Sequence, residues 1–418
     1  MNREEKIKRI SLIILISFLI SVLYHWILGA SSFSLSFPYN TFLTSKAMRF
    51  SDFTNVYDCV RSWDPYVSYE RYTHLPIMPI ILYPITLFSL NTALIILLVS
   101  FIIYHVLYVY GHLKGEDENY LYIIIISFLT FPFMFTFDRA NPEILTYIVI
   151  TVFFYYYQRK QYTISSLLLG VAIAMKLFPA ALIILFIYRK QYKQIIYAVL
   201  TSIILNCTSL LLFESGMSKS LNALMSNLSF YQLHYVQYYS GLWWSHSLWG
   251  LFKVAYHGVS ELIFDNPGFS GLKYFTKPYI AFVLILFGLV SYYTIYKEEI
   301  FWRKIALIIF VMNLFPFCSG GYKMMYVYIP LLFFVNSEPG KKDMLYCLLF
   351  ALLMIPKHYL PLPWMPPYSI SGEPEDLWAF SEIVIDPLLM LIFAGVIIWD
   401  GIKVQKVKLS TIINKVSG

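Results

Sequence analysis

The chain has 418 residues, of which 59% are hydrophobic and only 13% are charged. Soluble domains carry about 25% charged residues, so this composition excludes a water-soluble globular enzyme, a disordered regulator and a disulfide-stapled secreted module. Stretches of about 20 apolar residues recur along the whole length, which predicts a polytopic, all-α membrane protein. The net charge of +7 then reflects membrane topology, and we expect no nucleic acid partner.

Apolar segments separated by charged loops predict about twelve transmembrane helices in one domain over residues 1–400. The N-terminal run is interpreted as a retained first helix, because no small-residue cleavage site ends it. Several segments are short for a crossing and need other helices around them. The predicted spans are 10–29, 91–110, 120–136, 143–157, 162–175, 178–188, 194–213, 279–296, 305–318, 324–336, 344–356 and 381–399.

Segment 74–90 is apolar but contains three prolines, so we interpret it as a re-entrant or interfacial helix that does not cross the membrane. With a cytoplasmic N-terminus, 19 of the 31 basic residues then lie in short loops and termini on one face, including a cytoplasmic tail over residues 401–418. This bias sets the orientation. The long loops, at 30–90, 214–278 and 357–380, all lie on the other face. We therefore expect a multi-pass plasma-membrane protein with an extracytoplasmic active site.

Ionisable residues at membrane depth are rare and are candidates for a functional site by default. On the predicted outer face, a short turn over residues 137–143 joins two helices, and a lysine occupies a break between two short spans, directly before Phe178 and Pro179. The candidates on this face are Asp52, Asp138, Arg139, Glu143, Lys176, His246 and Lys323.

Each candidate also has a purely structural interpretation, and the sequence leaves both open. Asp138 and Arg139 fit a helix-terminal ion pair, and Asp138 also fits a helix N-cap. Lys176 fits an interfacial lysine that extends towards water, although its position before a helix start favours an anion site. The remaining alternatives are an interface anchor for Lys323, a hydrogen-bonded packing residue for His246 and a solvated loop acid for Asp52.

These charges suit sugar transfer from a lipid-linked phosphate. Lys176, Arg139 and Lys323 provide the positive charge that binds a phosphate. One carboxylate would take the proton of the attacking hydroxyl while the phosphate leaves, and displacement with a single base inverts the anomeric centre. Fixed cations replace a metal, no Asp-x-Asp triplet occurs in the predicted outer loops, and the four cysteines show no zinc or disulfide spacing. We therefore expect no metal and no cofactor.

Four stretches, in order along the chain, resemble the motifs of one family of membrane enzymes. They are Ser-Asp-Phe-Thr-Asn-Val-Tyr (51–57) with Asp-Pro-Tyr (64–66) and Leu-Pro-Ile-Met-Pro (75–79), Arg-Ala-Asn-Pro-Glu-Ile-Leu (139–145), Gly-Val-Ala-Ile-Ala-Met-Lys-Leu-Phe-Pro (170–179), and Tyr-Lys-Met-Met-Tyr-Val-Tyr-Ile-Pro-Leu-Leu (322–332) with Ser-His-Ser-Leu (245–248) before it. The chain resembles GT-C-fold membrane glycosyltransferases, most closely glycosyltransferase family 87, the polyprenyl-phosphate-mannose-dependent mannosyltransferases. It departs from the family at Ala140, where glycine is usual before Asn or Gln.

The resemblance implies a GT-C fold in which the long first outer loop supplies the catalytic carboxylate, here Asp52. It implies transfer of a hexose, with mannose expected, from a polyprenyl-phosphate donor to a lipid-linked or envelope glycan. We expect Asp52 to share a pocket with Lys176, which would bind the donor phosphate together with Arg139 and Lys323. The expected sugar or acceptor contacts are Asn141, Glu143, His246, Tyr57, Asp58 and Tyr322.

Two other functions remain open at this stage. A multi-spanning transporter or flippase would show matching halves and site residues at mid-bilayer, whereas here the halves do not match and the charges cluster at one face. An O-antigen polymerase or ligase would use a lipid-diphosphate donor and would need more arginine in its outer loops.

Overall fold

The computed structural model describes residues 1–30, 34–115, 120–238, 242, 245–264, 270–359 and 381–416. These residues form helices and no strand, with one isolated β-bridge between Ser245 and Gly320. The α-helices are α1 (Arg3–Ala30), α2 (Ser51–Arg61), α3 (Pro65–Ser68), α4 (Ile77–Leu82), α5 (Leu90–Leu113), α6 (Tyr120–Phe128), α7 (Phe131–Arg139), α8 (Glu143–Gln158), α9 (Tyr162–Met175), α10 (Ile183–Tyr188), α11 (Tyr192–Leu212), α12 (Gly216–Tyr231), α13 (Leu248–Phe264), α14 (Thr276–Tyr296), α15 (Phe301–Leu314), α16 (Tyr328–Val335), α17 (Asp343–Met354) and α18 (Glu382–Val416).

Shorter 3₁₀ and π turns join or extend these helices. The 3₁₀ turns are Lys46–Met48, Tyr83–Leu87, Phe178–Leu182, Ser270–Tyr274 and Gly321–Val327, and the π turn is Gln232–Val236. Three of the 3₁₀ turns abut α4, α10 and α16, which lengthens these short helices.

Each of the twelve predicted spans contains a helix, so the all-α membrane architecture is confirmed. The helices α1, α5, α11, α14 and α18 are long and apolar enough to cross a membrane alone. The pair α6 and α7, bent by 52° at Leu129 and Thr130, forms a sixth candidate. The described residues therefore provide five or six candidate spans by length and composition, and twelve crossings remain a prediction.

Segment 74–90 forms a short helix over Ile77–Leu87. At 1.5 Å per residue this helix is about 16 Å long, roughly half the thickness of a hydrocarbon core. It is therefore too short to cross the membrane by itself, as its prolines led us to expect.

The two large predicted outer loops are helical and pack against each other. Residues 30–90 contain α2, α3 and α4, and residues 214–278 contain α12 and α13. The Asn227 side-chain amide on α12 lies 3.1 Å from both the Tyr69 and the Tyr72 carbonyl oxygens. This amide therefore ties the second loop to the chain segment that follows α3.

The last predicted loop lies mostly outside the described residues, and the predicted tail is helical. Residues 360–380 of the predicted loop 357–380 lie outside the described residues. Helix α18 runs from Glu382 to Val416, so the predicted last span and the predicted tail form one continuous helix.

Helix α9 packs closely between α8 and α11. A β-carbon on Gly170 would lie 2.7 Å from the Ala198 carbonyl oxygen and 2.6 Å from Thr201 Cβ, which no larger residue tolerates. The absence of a side chain at Gly170 therefore allows the helices to approach. The end of α9, where Lys176 follows, lies beside the start of α8, since the Lys176 ammonium is 3.9 Å from a Glu143 oxygen.

At the opposite end of the bundle, the fold buries a lysine of α1. Lys6 is 0% exposed, and its ammonium lies 3.4 Å from an Asp343 carboxylate oxygen at the start of α17. It also donates hydrogen bonds to the carbonyls of Ser337 (3.0 Å) and Phe334 (3.2 Å). These contacts fasten the N-terminal helix to the late helices.

We therefore expect Lys6→Met to destabilise the protein by about 2 kcal/mol, because the charge-assisted hydrogen bonds of the buried ammonium are lost, although the N-terminal ammonium of Met1 remains 3.2 Å from Asp343. The measurement is the unfolding transition of the purified protein in detergent. Lys8→Met is the matched control, since Lys8 lies two residues further along α1 and is exposed. Equal transitions for the two variants would contradict the assignment.

Candidate active site

The predicted turn between α7 and α8 organises the site. Helix α7 ends at Arg139 because Ala140 adopts a left-handed conformation (φ 46°), and Pro142 cannot continue the helix. The Asn141 side-chain oxygen accepts a hydrogen bond of 2.9 Å from the Glu143 main-chain N–H. Asn141 thus satisfies the first main-chain N–H of α8.

Asp52, in the first turn of α2, is bound to this same turn. The Phe50 N–H donates to the Asp138 carbonyl at 2.8 Å, which docks the start of α2 on the end of α7. Arg139 forms an ion pair with one Asp52 carboxylate oxygen, and the Asn141 amide nitrogen donates to the other at 2.6 Å. Both oxygens are therefore engaged, although the Asp52 side chain remains 17% exposed.

Asp138 does not have the contacts that the sequence suggested. Its carboxylate accepts hydrogen bonds from the main chain (3.0 Å) and hydroxyl of Thr44 and lies 3.5 Å from the Arg49 side chain. Asp138 belongs to the last turn of α7, and the side chain that accepts from the first N–H of α8 is that of Asn141. The two predicted structural roles, an Asp138–Arg139 ion pair and an Asp138 N-cap, are therefore wrong, because the first outer loop supplies partners for both residues.

Two lysines share one carboxylate on the other side of the turn. Lys176 lies in the predicted break after α9, with its ammonium 3.9 Å from a Glu143 oxygen. Lys323 is buried and lies over the Phe178 ring at 4.3 Å from its centroid, near enough to Glu143 and Lys176 for their charges to affect its pKa. The Tyr326 hydroxyl donates to Glu143. Two ammonium groups facing one carboxylate leave a surplus positive charge, which suits an anionic ligand.

A cavity of about 660 Å³ opens beside Asp52, within the size range of small-molecule sites. Burial, followed by the charge of Lys176, holds the pKa of His74 well below its ordinary value, so this imidazole is neutral near pH 7. His74 therefore lines the cavity and is affected by the charge of Lys176, and sequence reasoning missed it. The polar lining includes Asp52, Asn55, Asp58, Glu70, Arg71, His74 and Asn141.

The other predicted contact residues divide between this cavity and the core. Asp58 is exposed and lines the cavity. Tyr322 interacts electrostatically with Asp52. Tyr57 is 4% exposed, and its hydroxyl donates to the Phe88 carbonyl at 2.6 Å, so it packs in the core.

His246 belongs to a separate buried cluster with the start of α18. Its Nδ1 lies 2.9 Å from an Asp386 oxygen and its Nε2 lies 3.6 Å from a Glu382 oxygen. The Lys357 ammonium is 2.9 Å from Asp386, and the His358 Nε2 is 2.7 Å from Glu382. Sequence reasoning missed this cluster, although two acids four residues apart at the start of an apolar helix were a usable signal.

Ligand atoms of His246, Glu382 and Asp386 lie within 4.8 Å of one another, a spacing that could hold a cation. The Lys357 ammonium already provides positive charge at Asp386, so these side chains fit an ion-pair network better than a metal centre. Burial opposes protonation of His246, but the hydrogen bond to Asp386 and the charge of Glu382 outweigh it and raise its pKa.

This cluster supports the turn that precedes Lys323. The His246 main-chain N–H donates to the Ser319 carbonyl at 2.8 Å. A β-carbon on Gly321 would lie 3.0 Å from the His246 Nε2, so the turn is in close contact with the imidazole. His246 therefore acts on the site indirectly, by supporting the main chain that precedes Lys323.

Buried charges gathered at one end of apolar helices, next to a polar cavity, define an integral membrane protein with an enzyme-like site. The model of glycosyltransferase family 87 matches residues 72–315, more than half of the chain. The chain belongs to this family and is a membrane glycosyltransferase, so the predicted resemblance is confirmed and the transporter and polymerase alternatives are set aside. The matched segment includes the turn and Lys176, whereas Asp52 and Lys323 lie outside it. Among curated proteins and solved structures, none matches the chain.

The structure explains the departure at Ala140. Its left-handed conformation (φ 46°) is one that glycine adopts freely, while a β-carbon there costs about 1 kcal/mol. The glycine that is usual in the family and the alanine of this chain therefore permit the same turn. The alanine adopts the left-handed conformation at a cost in local strain.

We expect Ala140→Gly to leave the protein as stable as before or to stabilise it by up to about 1 kcal/mol, because relief of strain opposes the greater freedom of the unfolded chain. Ala172→Gly is the matched comparison. Ala172 is buried inside α9, where glycine should destabilise by about 1 kcal/mol or more. The unfolding transitions in detergent test this, and a loss at Ala140 as large as that at Ala172 would contradict a left-handed turn.

Proposed function

We propose that this glycosyltransferase transfers a hexose, with mannose expected, from a polyprenyl-phosphate donor to a lipid-linked or envelope glycan at the extracytoplasmic face. The observation that most supports the proposal is the position of Asp52. Its carboxylate borders a polar cavity and is held by Arg139 and Asn141, on the same turn whose Glu143 lies beside two lysines.

The surplus positive charge at Lys176 and Lys323 suits the single negative charge of a phosphodiester. Leu177, next to Lys176, is apolar and 69% exposed, as expected where a prenyl chain enters from the lipid. Arg139 completes the phosphate site if it moves from Asp52 to the donor. Donor binding would then free the carboxylate for catalysis.

Asp52 is the proposed general base. The acceptor oxygen attacks the anomeric carbon, and its proton passes to the Asp52 carboxylate. The bond from the anomeric carbon to the phosphate oxygen breaks, and its electron pair leaves on the phosphate, which the lysines stabilise. Attack and departure occur on opposite sides of the carbon, so the anomeric configuration inverts. Asn141, which is hydrogen-bonded to Asp52, and Tyr322 would orient sugar hydroxyls.

The extracytoplasmic assignment follows from the charge bias of the helix ends. The helices α8 and α9 meet the site at Glu143 and Lys176, and their other ends meet at Arg159 and Lys160. Basic residues in short loops mark the cytoplasmic side, so the site would face the opposite side.

The direct test incubates the purified protein with polyprenyl-phosphate mannose or polyprenyl-phosphate glucose, a glycan acceptor panel and EDTA. We expect transfer from one of these donors, unchanged by EDTA, with inversion detected by NMR of the product. Loss of transfer in EDTA that is restored by a divalent cation would overturn the metal-independent mechanism. Absence of transfer from both donors would overturn the donor class.

In the same assay, Asp52→Asn should abolish transfer because an amide cannot take the acceptor proton, while donor binding and folding persist. Glu214→Gln is the matched control, since Glu214 is an exposed acid of the other large loop and its change should leave turnover intact. Appreciable turnover in Asp52→Asn would remove this residue from the mechanism.

Lys176→Met should raise the KM for the donor at least about tenfold, because one charge-assisted contact to the phosphate is lost. Lys176→Arg should restore much of the donor affinity. The control is Lys219→Met, which removes an exposed lysine of α12. Donor titrations of initial rate measure the effect, and an unchanged donor KM with only a lower kcat would contradict a phosphate-binding role.

A further inference from the structure

The cavity beside Asp52 is built by both large loops. One wall is the chain over residues 68–74, which Asn227 of α12 secures. Tyr235 provides another wall, and the buried Lys253 ammonium donates to its carbonyl at 2.8 Å. The cavity therefore has a fixed shape that depends on residues from distant parts of the chain.

The net charge of the described cavity lining is negative, because Asp58 and Glu70 outnumber Arg71 once Asp52 is paired with Arg139. Asp58 and Glu70 are exposed on its lining, and neither forms an ion pair with another described residue. Asp52 is compensated by Arg139. Arg71 is the cation of the described lining, and its guanidinium lies over the Phe230 ring, 5.2 Å from the centroid. The positive charge available for a phosphate lies instead at Lys176.

The lining also offers unused hydrogen-bonding capacity. No described residue forms a hydrogen bond with the buried His74 Nδ1. Asn55 adds an exposed amide, and Tyr69 and Tyr235 add aromatic rings next to these polar groups. Neutral imidazole, amide and carboxylate groups together donate to and accept from hydroxyl groups, which is the chemistry of a sugar.

We propose that this cavity binds the acceptor through a sugar end that carries no phosphate and no carboxylate, and that Asp58 and Glu70 determine this specificity. The inference rests on the proposed function, because it takes Asp52 as the base that meets the acceptor hydroxyl. A polyhydroxylated or amino sugar would fit the lining. An anionic sugar would place its negative charge next to two carboxylates. Repulsion of this kind excludes a wrong ligand more strongly than attraction favours the right one.

The test measures binding without donor, on the intact protein in detergent, by saturation-transfer NMR. The probes are mannose, mannosamine and mannose 6-phosphate, which share one ring and differ in charge. We expect mannose and mannosamine to bind and mannose 6-phosphate to bind at least about tenfold more weakly. The double variant Asp58→Asn/Glu70→Gln should bring mannose 6-phosphate close to mannose, while Glu214→Gln should leave the discrimination unchanged.

Equal binding of mannose and mannose 6-phosphate to the native protein would overturn the inference, as would discrimination that persists in the double variant or an absence of binding by every probe. The proposed function fails separately, since it depends on transfer from a polyprenyl-phosphate donor. Transfer from such a donor to a phosphorylated acceptor would retain the proposed function and refute this specificity.

Discussion

The site depends on one short turn, Arg139–Glu143, whose side chains point to two sides. Asn141 accepts from the main chain of α8 with its oxygen and donates to Asp52 with its nitrogen, so its amide has one orientation only. Glu143 faces the other way, towards Lys176. The turn therefore fixes the distance between the proposed base and the proposed phosphate site, whatever the flanking helices do in the membrane.

The turn also separates opposite charges. Carboxylates line the cavity on the Asp52 side, and ammonium groups gather beyond Glu143. In the proposed reaction, the two substrates would approach the anomeric carbon from different directions, as an in-line displacement requires. The Asp52–Arg139 ion pair lies between the two regions. In the proposed mechanism, an incoming phosphate would compete for Arg139, and this competition would couple donor binding to the release of the Asp52 carboxylate.

Much of the helical architecture could be predicted, because membrane segments are specified locally by apolar runs and prolines. Lys176 was placed in a helix break because Pro179 follows so closely, and the structure has that break. The pairing of charges was not predictable in the same way. Asp138 and Arg139 are neighbours in sequence, yet they bind Thr44 and Asp52, which the folded first loop brings to them.

The buried cluster around His246 shows the other limit of sequence reasoning. Its partners Glu382 and Asp386 are more than 130 residues away and were absorbed into a predicted span, because hydropathy averages over isolated charges. Tyr57 looked suitable for contacting a sugar, but its hydroxyl is used by the Phe88 carbonyl. Packing decides whether such a side chain faces a ligand or the core, and a single sequence does not reveal that packing.

The most direct measurement is an experimental structure of the protein with a non-hydrolysable polyprenyl-phosphonate mannose. The account predicts phosphonate oxygens within hydrogen-bonding distance of Lys176 and Lys323, Arg139 turned from Asp52 to the phosphonate, and the anomeric carbon facing the Asp52 carboxylate. A phosphonate lodged beside Asp58 and Glu70, or an anomeric carbon remote from Asp52, would contradict it.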